Sequence, residues 1–150
     1  MKEIVLHRDG DHQRAFAFVF DPDEDPMALL ADRAAEYALA SCQITGVGGF
    51  SRATLGYFDR ARRGYREIAV DEQVEVLSLL GDIAHDDGKR IIHVHCVVGL
   101  SDGATRGGHL LRANVWPTLE VMVTEWPRYL QKRFDPEIGL ALIETPEPLA

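Results

Sequence analysis

Apolar and polar positions alternate with a period of two along much of the chain, which marks strands rather than helices. In Arg14 to Phe20, Phe16, Phe18 and Phe20 alternate with Ala15, Ala17 and Val19. Aromatic residues at that spacing suit a pleated surface. Glu3 to Arg8 is a second apolar run, and the pair Asp9-Gly10 between the two suits a hairpin turn. Ala53 to Phe58, Tyr65 to Val70, Gln73 to Leu80 and Arg90 to Gly99 read as further strands. Thr105 to Leu111, Thr118 to Thr124 and a short Leu140 to Ile143 complete the set. One segment departs from this pattern. Met27 to Ala40 carries Leu29, Leu30, Ala34, Tyr37 and Ala38 with little β-branching. It follows an acidic stretch, Asp21 to Asp25, and then Pro26, the order expected at a helix start. The spacing predicts one main helix over about residues 27–40, and either a short helix or irregular chain over Trp126 to Phe134. The predicted fold class is α+β: a single domain over residues 1–143, with a largely antiparallel, mixed β-sheet. Residues 144–150, with two prolines, read as a flexible tail.

Glycine punctuates this pattern at three places. Gly46-Val47-Gly48-Gly49 opens no helix, so it is read as a bulge or tight corner between strands rather than a dinucleotide loop. Gly64 is read as a turn residue, and Gly107-Gly108 lets a backbone pass close to its neighbour just before His109.

Length and charge narrow the function classes. At 150 residues the chain can bury a sizeable core without disulfide or metal support. Its formal net charge of −8 weighs against binding phosphate backbones by bulk attraction. No apolar run approaches the length of a membrane span, and the first residues lack the apolar core of a signal peptide. Cys42 and Cys96 each sit in an apolar stretch and match no zinc spacing, which reads as buried thiols in a cytoplasmic protein.

The chemistry-bearing feature is His93-Val94-His95 followed by Gly107-Gly108-His109. Residues two apart in a strand share a face. His93 and His95 therefore point together, while Ile92, Val94, Cys96 and Val98 face the core. Ser101 to Ala104 is a turn, and a hairpin centred on Asp102 sets His109 opposite His95. Three convergent imidazoles are the ligand set of an open zinc site with a position left for water or substrate. The alternative is half-buried histidines satisfied by carbonyls or a carboxylate. Glu120 interrupts an otherwise apolar strand, where a carboxylate needs a partner. It could be a fourth ligand, an acceptor behind a ligand histidine, a general base, or an edge residue reaching solvent or an Arg. His7, His12 and His85 read as surface residues. No serine has nucleophile-elbow context, and Cys96 points away from the histidines. The one dense basic run holds Arg60, Arg62, Arg63 and Arg66 against Asp59, a local charge of +3. It can meet phosphates, or can simply balance the acidic stretch near Asp21.

Several of these pieces occur together in an order that resembles the plant- and prokaryote-conserved (PPC) domain family. They are Gly46-Val47-Gly48-Gly49-Phe50, Ala53-Thr54-Leu55-Gly56-Tyr57-Phe58, Glu75 to Ala84, Asp87-Gly88-Lys89, His93-Val94-His95, Gly107-Gly108-His109-Leu110 and Thr118-Leu119-Glu120-Val121. The resemblance spans about Glu3 to Ile143. It implies a domain built on an antiparallel sheet and assembled as a homotrimer. Plant members carry AT-hooks that read the minor groove; bacterial members stand alone and are labelled DNA-binding by association. This chain has no Arg-Gly-Arg-Pro hook. The family's Gly-Arg-Phe-Glu-Ile-Leu segment maps onto Glu72 to Leu77 with its first half lost. The histidines are kept, and some family members hold metal. The leading expectation is a homotrimer with a divalent-metal site, zinc or similar, at His93, His95 and His109, binding or converting a small ligand. The alternatives are a DNA-associated regulator acting through Arg60 to Arg66, and a structural protein-interaction module.

Overall fold

The computed structural model describes residues 1–9, 13–126 and 130–144. Ten elements follow one another: β1 (Lys2–Asp9), β2 (Gln13–Phe20), α1 (Pro26–Glu36), β3 (Cys42–Asp59), β4 (Gly64–Val70), β5 (Val74–Asp86), β6 (Lys89–Gly99), β7 (Thr105–Glu125), β8 (Gln131–Asp135) and β9 (Leu140–Ile143). Strand dominates, and α1 is the one helix among the described residues. All strands belong to one sheet with the path β1-β2-β7-β3-β5-β8-β9. β4 pairs with β3, and β6 pairs with both β5 and β7. Because β5 and β7 each also pair with β3, β6 closes a circuit of strands. Every pairing is antiparallel except β5 with β8. The predicted mixed, largely antiparallel sheet is present in one domain, though the balance lies further toward β than α+β implies.

The period-two pattern fills the core. Phe18 and Phe20 are fully buried, Phe16 nearly so, and they meet Phe50, Leu55, Ile44, Leu119 and Val121. The ring of Phe16 stacks on Phe18 at 5.7 Å and on Tyr37 at 5.0 Å. α1 lays Leu30 and Ala34 onto this face.

The predicted start of α1 and its actual end tell different stories. Asp25 caps the N-terminus, accepting from the backbone N–H of Met27 at 2.9 Å and Ala28 at 3.4 Å, with Pro26 behind it. The helix stops at Glu36, not at residue 40. Ala38 adopts the left-handed region, the N–H of Leu39 donates to Ala34 O at 2.9 Å, and that of Ala38 donates to Ala35 O at 3.1 Å. This is a Schellman closure with Ala where Gly is usual, which drives Leu39 into the core.

Two strands run through breaks that the sequence pattern suggests. β3 and β7 are 18 and 21 residues long. The β3–β7 register shifts between Gly48 and Phe50, where β7 supplies the extra residues Trp116 to Thr118. Pro117 thus falls where the ladder asks for no donor. Gly48 has φ +150, and a Cβ there would lie 2.4 Å from Thr118 O. The glycine run is therefore a bulge inside one strand. β5 extends to Asp86, six residues beyond the predicted Leu80. Residues 131–135 form strand β8 rather than a helix, because β8 finds the edge of β5. The Asp9-Gly10 turn, His12, residues 127–129 and the predicted tail from 145 onward lie partly or wholly outside the described residues. Glu144 itself is held by β8, through its N–H to Gln131 O at 2.8 Å and an ion pair with Arg133 at 2.6 Å. No helix among the described residues is long and apolar enough to cross a membrane.

One contact controls the approach of β5 to β6. A Cβ on Gly81 would sit 2.3 Å from the carbonyl oxygen of His93, which is backbone and cannot move aside. Gly81→Ala is expected to destabilise the protein by about 1–3 kcal/mol in denaturant unfolding. An unchanged midpoint would show that these strands are not held so tightly.

Candidate metal centre

β6 carries the site. Its inward positions Val94, Cys96 and Val98 are buried, with Ile92 packed beside them. His93 and His95 occupy the outward positions. The β6–β7 hairpin sets His95 opposite His109, and the β5–β6 hairpin sets His93 opposite Asp82. The turn of that second hairpin, Asp87-Gly88, has positive φ at both residues, as a primed two-residue turn requires.

The three imidazoles converge. Each offers a ring nitrogen, and these nitrogens all lie within 4.8 Å of one another; among the described residues no other group of histidine, cysteine, aspartate or glutamate side chains does this. Nε2 of His93 and Nε2 of His95 are 3.0 Å apart. Ring centroids are 4.8, 5.2 and 5.3 Å apart around the triangle. Tetrahedral Zn–N bonds of about 2.0–2.1 Å require nitrogens roughly 3.3 Å apart, so small ring movements bring this set to metal geometry. Nδ1 of His109 is buried and has no hydrogen-bond partner. An orphaned imidazole nitrogen beside two close imidazoles fits a cation. A divalent metal bound here would act as a Lewis acid and acidify a bound water.

The surroundings keep His95 and His109 neutral and hold the rings in place. Burial holds His95 below the ordinary histidine range, with His93 adding to it. Burial, then His93, His95 and Lys132, push His109 down to about 4. Both are thus free of protons that would compete with a metal at neutral pH. Tyr65 of β4 stacks on His109 with centroids 4.6 Å apart. Oδ2 of Asp82 lies 3.3 Å from Nδ1 of His93, and the ammonium of Lys132, whose side chain is only 3% exposed, lies 2.6 Å from Oδ1. Burial alone would raise the Asp82 carboxyl, but the His93 and Lys132 contacts outweigh it and hold it low.

Asp82, Lys132 and Tyr65 are absent from the residues singled out by sequence. Asp82 was reachable: a hairpin centred on Asp87-Gly88 pairs it with His93 just as Asp102 pairs His109 with His95. Lys132 had no such signal, because it arrives through the parallel pairing of β8 with β5.

The other sequence candidates are placed elsewhere. Glu120 is exposed, opposite Val19 and Val47, and is not part of the histidine cluster. It lines an open depression of about 240 Å³ with Val47, Leu77, Leu80 and Met122. Leu80 is the strand partner of His95, so this depression borders the site. In the β3–β4 connection Arg60 and Arg62 are exposed. Arg63 donates to Pro136 O at 2.9 Å, and Arg66 lies over the Tyr57 ring at 5.4 Å. His7 is exposed, as expected. His85 is instead half-buried, with Nδ1 3.2 Å from Ala40 O. Cys96 lies on the core face, where burial pushes its thiol up to about 11.

Known proteins match this architecture. A metal-containing protein of Archaeoglobus fulgidus is 28% identical, with a TM-score of 0.80 over 97% of this chain and 100% of that one. A candidate DNA-binding protein of Ralstonia eutropha JMP134 is 30% identical, with a TM-score of 0.80 over 87% and 91%. A plant- and prokaryote-conserved protein of Pyrococcus horikoshii shares the fold at a TM-score of 0.82, with 24% identity over 90% and 94%. The bifunctional protein GlmU of a Synechococcus strain is 29% identical over 98 residues, and the chain spans only 14% of its length. The model of the Plants and Prokaryotes Conserved (PCC) domain matches residues 7–127, and the chain belongs to that family.

Proposed function

We propose that this PCC-domain protein is a divalent-metal protein whose ligands are His93, His95 and His109, and that it binds a small molecule at the metal's open position. The observation that carries this reading is the convergence of three imidazole nitrogens within 4.8 Å of one another. The relative described as metal-containing supports it. Zinc suits three neutral imidazoles. Glu120, facing the bordering depression, is the candidate acid–base group if the ligand is converted.

The reading includes a homotrimer. Val47, Leu77, Leu80 and Met122 are 42–56% exposed and line one depression, an apolar face that assembly would cover. Such an interface would lie beside His95.

A second reading is favoured by the Ralstonia eutropha relative described as a candidate DNA-binding protein. Its available surface is small. All four arginines are exposed, but Arg62 lies 4.0 Å from Asp59, and Arg63 and Arg66 also have partners in the fold. Each copy in an assembly would also bring a formal charge of −8.

Untagged protein is expected to carry about one zinc or similar ion per chain by elemental analysis, and the His93→Ala, His95→Ala variant to carry almost none. Full metal content in that variant would sink the assignment. Native mass is expected at three chains. In mobility-shift titrations, duplex DNA is expected to be released at physiological salt, with any low-salt retention lost in Arg60→Ala, Arg62→Ala. Tight, salt-resistant retention would favour the regulator instead.

A further inference from the structure

Behind the histidines runs a polar chain that metal ligation alone does not require: Lys132, then Asp82, then His93. Lys132 is one of three buried polar or charged residues among the described residues, together with Ser41 and Glu125. A charge is buried this deeply only when it is paired. Its partner Oδ1 belongs to the same carboxylate whose Oδ2 faces Nδ1 of His93. A carboxylate there accepts the Nδ1–H of His93 and leaves Nε2 as the lone-pair nitrogen that points at His95.

The charges at the site then follow. Imidazoles ligate a metal in their neutral form and contribute no charge; the Asp82 carboxylate contributes −1 and the Lys132 ammonium +1. Without Lys132 the orienting carboxylate would cancel half the charge of a bound divalent ion. With it, the full charge is kept at the open position.

Resting on the metal-site reading above, we propose that Asp82 and Lys132 are positioning residues: Asp82 orients His93 for the metal, and Lys132 holds Asp82 while offsetting its charge, so that the loaded centre takes a small oxyanion as its additional ligand. The two residues act in opposite directions on metal and anion. Asp82 strengthens metal binding and weakens anion binding. Lys132 weakens metal binding by its own positive charge and strengthens anion binding.

The test uses cobalt-substituted full-length protein, with affinity read by chelator competition and anion binding read from the visible absorption of cobalt. Inorganic phosphate and acetate are the two probes, which separate phosphate-type from carboxylate-type ligands. Asp82→Asn is expected to lower metal affinity about 10–100-fold. Lys132→Met is expected to hold or raise metal affinity while weakening the better anion roughly tenfold, and Lys132→Arg to restore the anion. If Lys132→Met does not fold, Asp82→Asn is compared with Asp82→Asn, Lys132→Met, which leaves no unpaired carboxylate; the anion is again expected to weaken. A Lys132→Met protein that loses metal and anion affinity in parallel shows a purely structural lysine and overturns the proposal. So does a folded set of variants with unchanged affinities, or a loaded wild type whose spectrum responds to neither anion. Wild type that takes up no metal fails the underlying assignment itself, a distinct result.

Discussion

Everything at the candidate centre depends on the two-sided pairing of β6. A strand offers its side chains alternately to opposite faces, and β6 uses one face for the core and the other for His93 and His95. Its neighbours then complete the site from both sides. β7 places His109 beside His95, and β5 places Asp82 beside His93. A shift of one residue in either register would turn the incoming side chain to the core face. The register is protected from both directions. Buried Val94, Cys96 and Val98 hold β6 in phase, and Gly81 allows β5 to approach the His93 carbonyl closely.

The pattern of residues made local pairing legible and long-range pairing obscure. Phe16, Phe18 and Phe20 declared a buried strand face, and Asp25-Pro26 declared a helix start, because those signals lie within a few residues. The hairpin through Asp102 was legible for the same reason, and with it the meeting of His95 and His109. The end of α1 was not, since Ala38 closes the helix in a conformation that usually calls for glycine. Asp82 was overlooked because the strand around it was ended at Leu80, although the Asp87-Gly88 turn pointed to it. Lys132 could not be seen at all: a parallel contact between strands some fifty positions apart leaves no local mark.

The expected glycine bulge is present, but it lies inside one long strand rather than between two. β3 and β7 each serve two sets of neighbours, and their register shifts beside Gly48 and Pro117 let one strand join both parts of the sheet. The pattern separated Thr105 to Leu111 from Thr118 to Thr124 and began a strand at Ala53, where β7 and β3 are each one continuous strand.

The three histidines also share one property that their outer partners lack: all sit in a single hairpin, β6 to β7. Closing a short loop costs little entropy, so this piece can assemble early in folding, before the chain's ends are ordered. Asp82 requires a second hairpin, and Lys132 requires β8 to dock from near the C-terminus. Only Lys132 therefore depends on a distant segment of the chain. On loop-closure grounds, the two hairpins that join the three imidazoles and Asp82 form before β8 brings Lys132 to them.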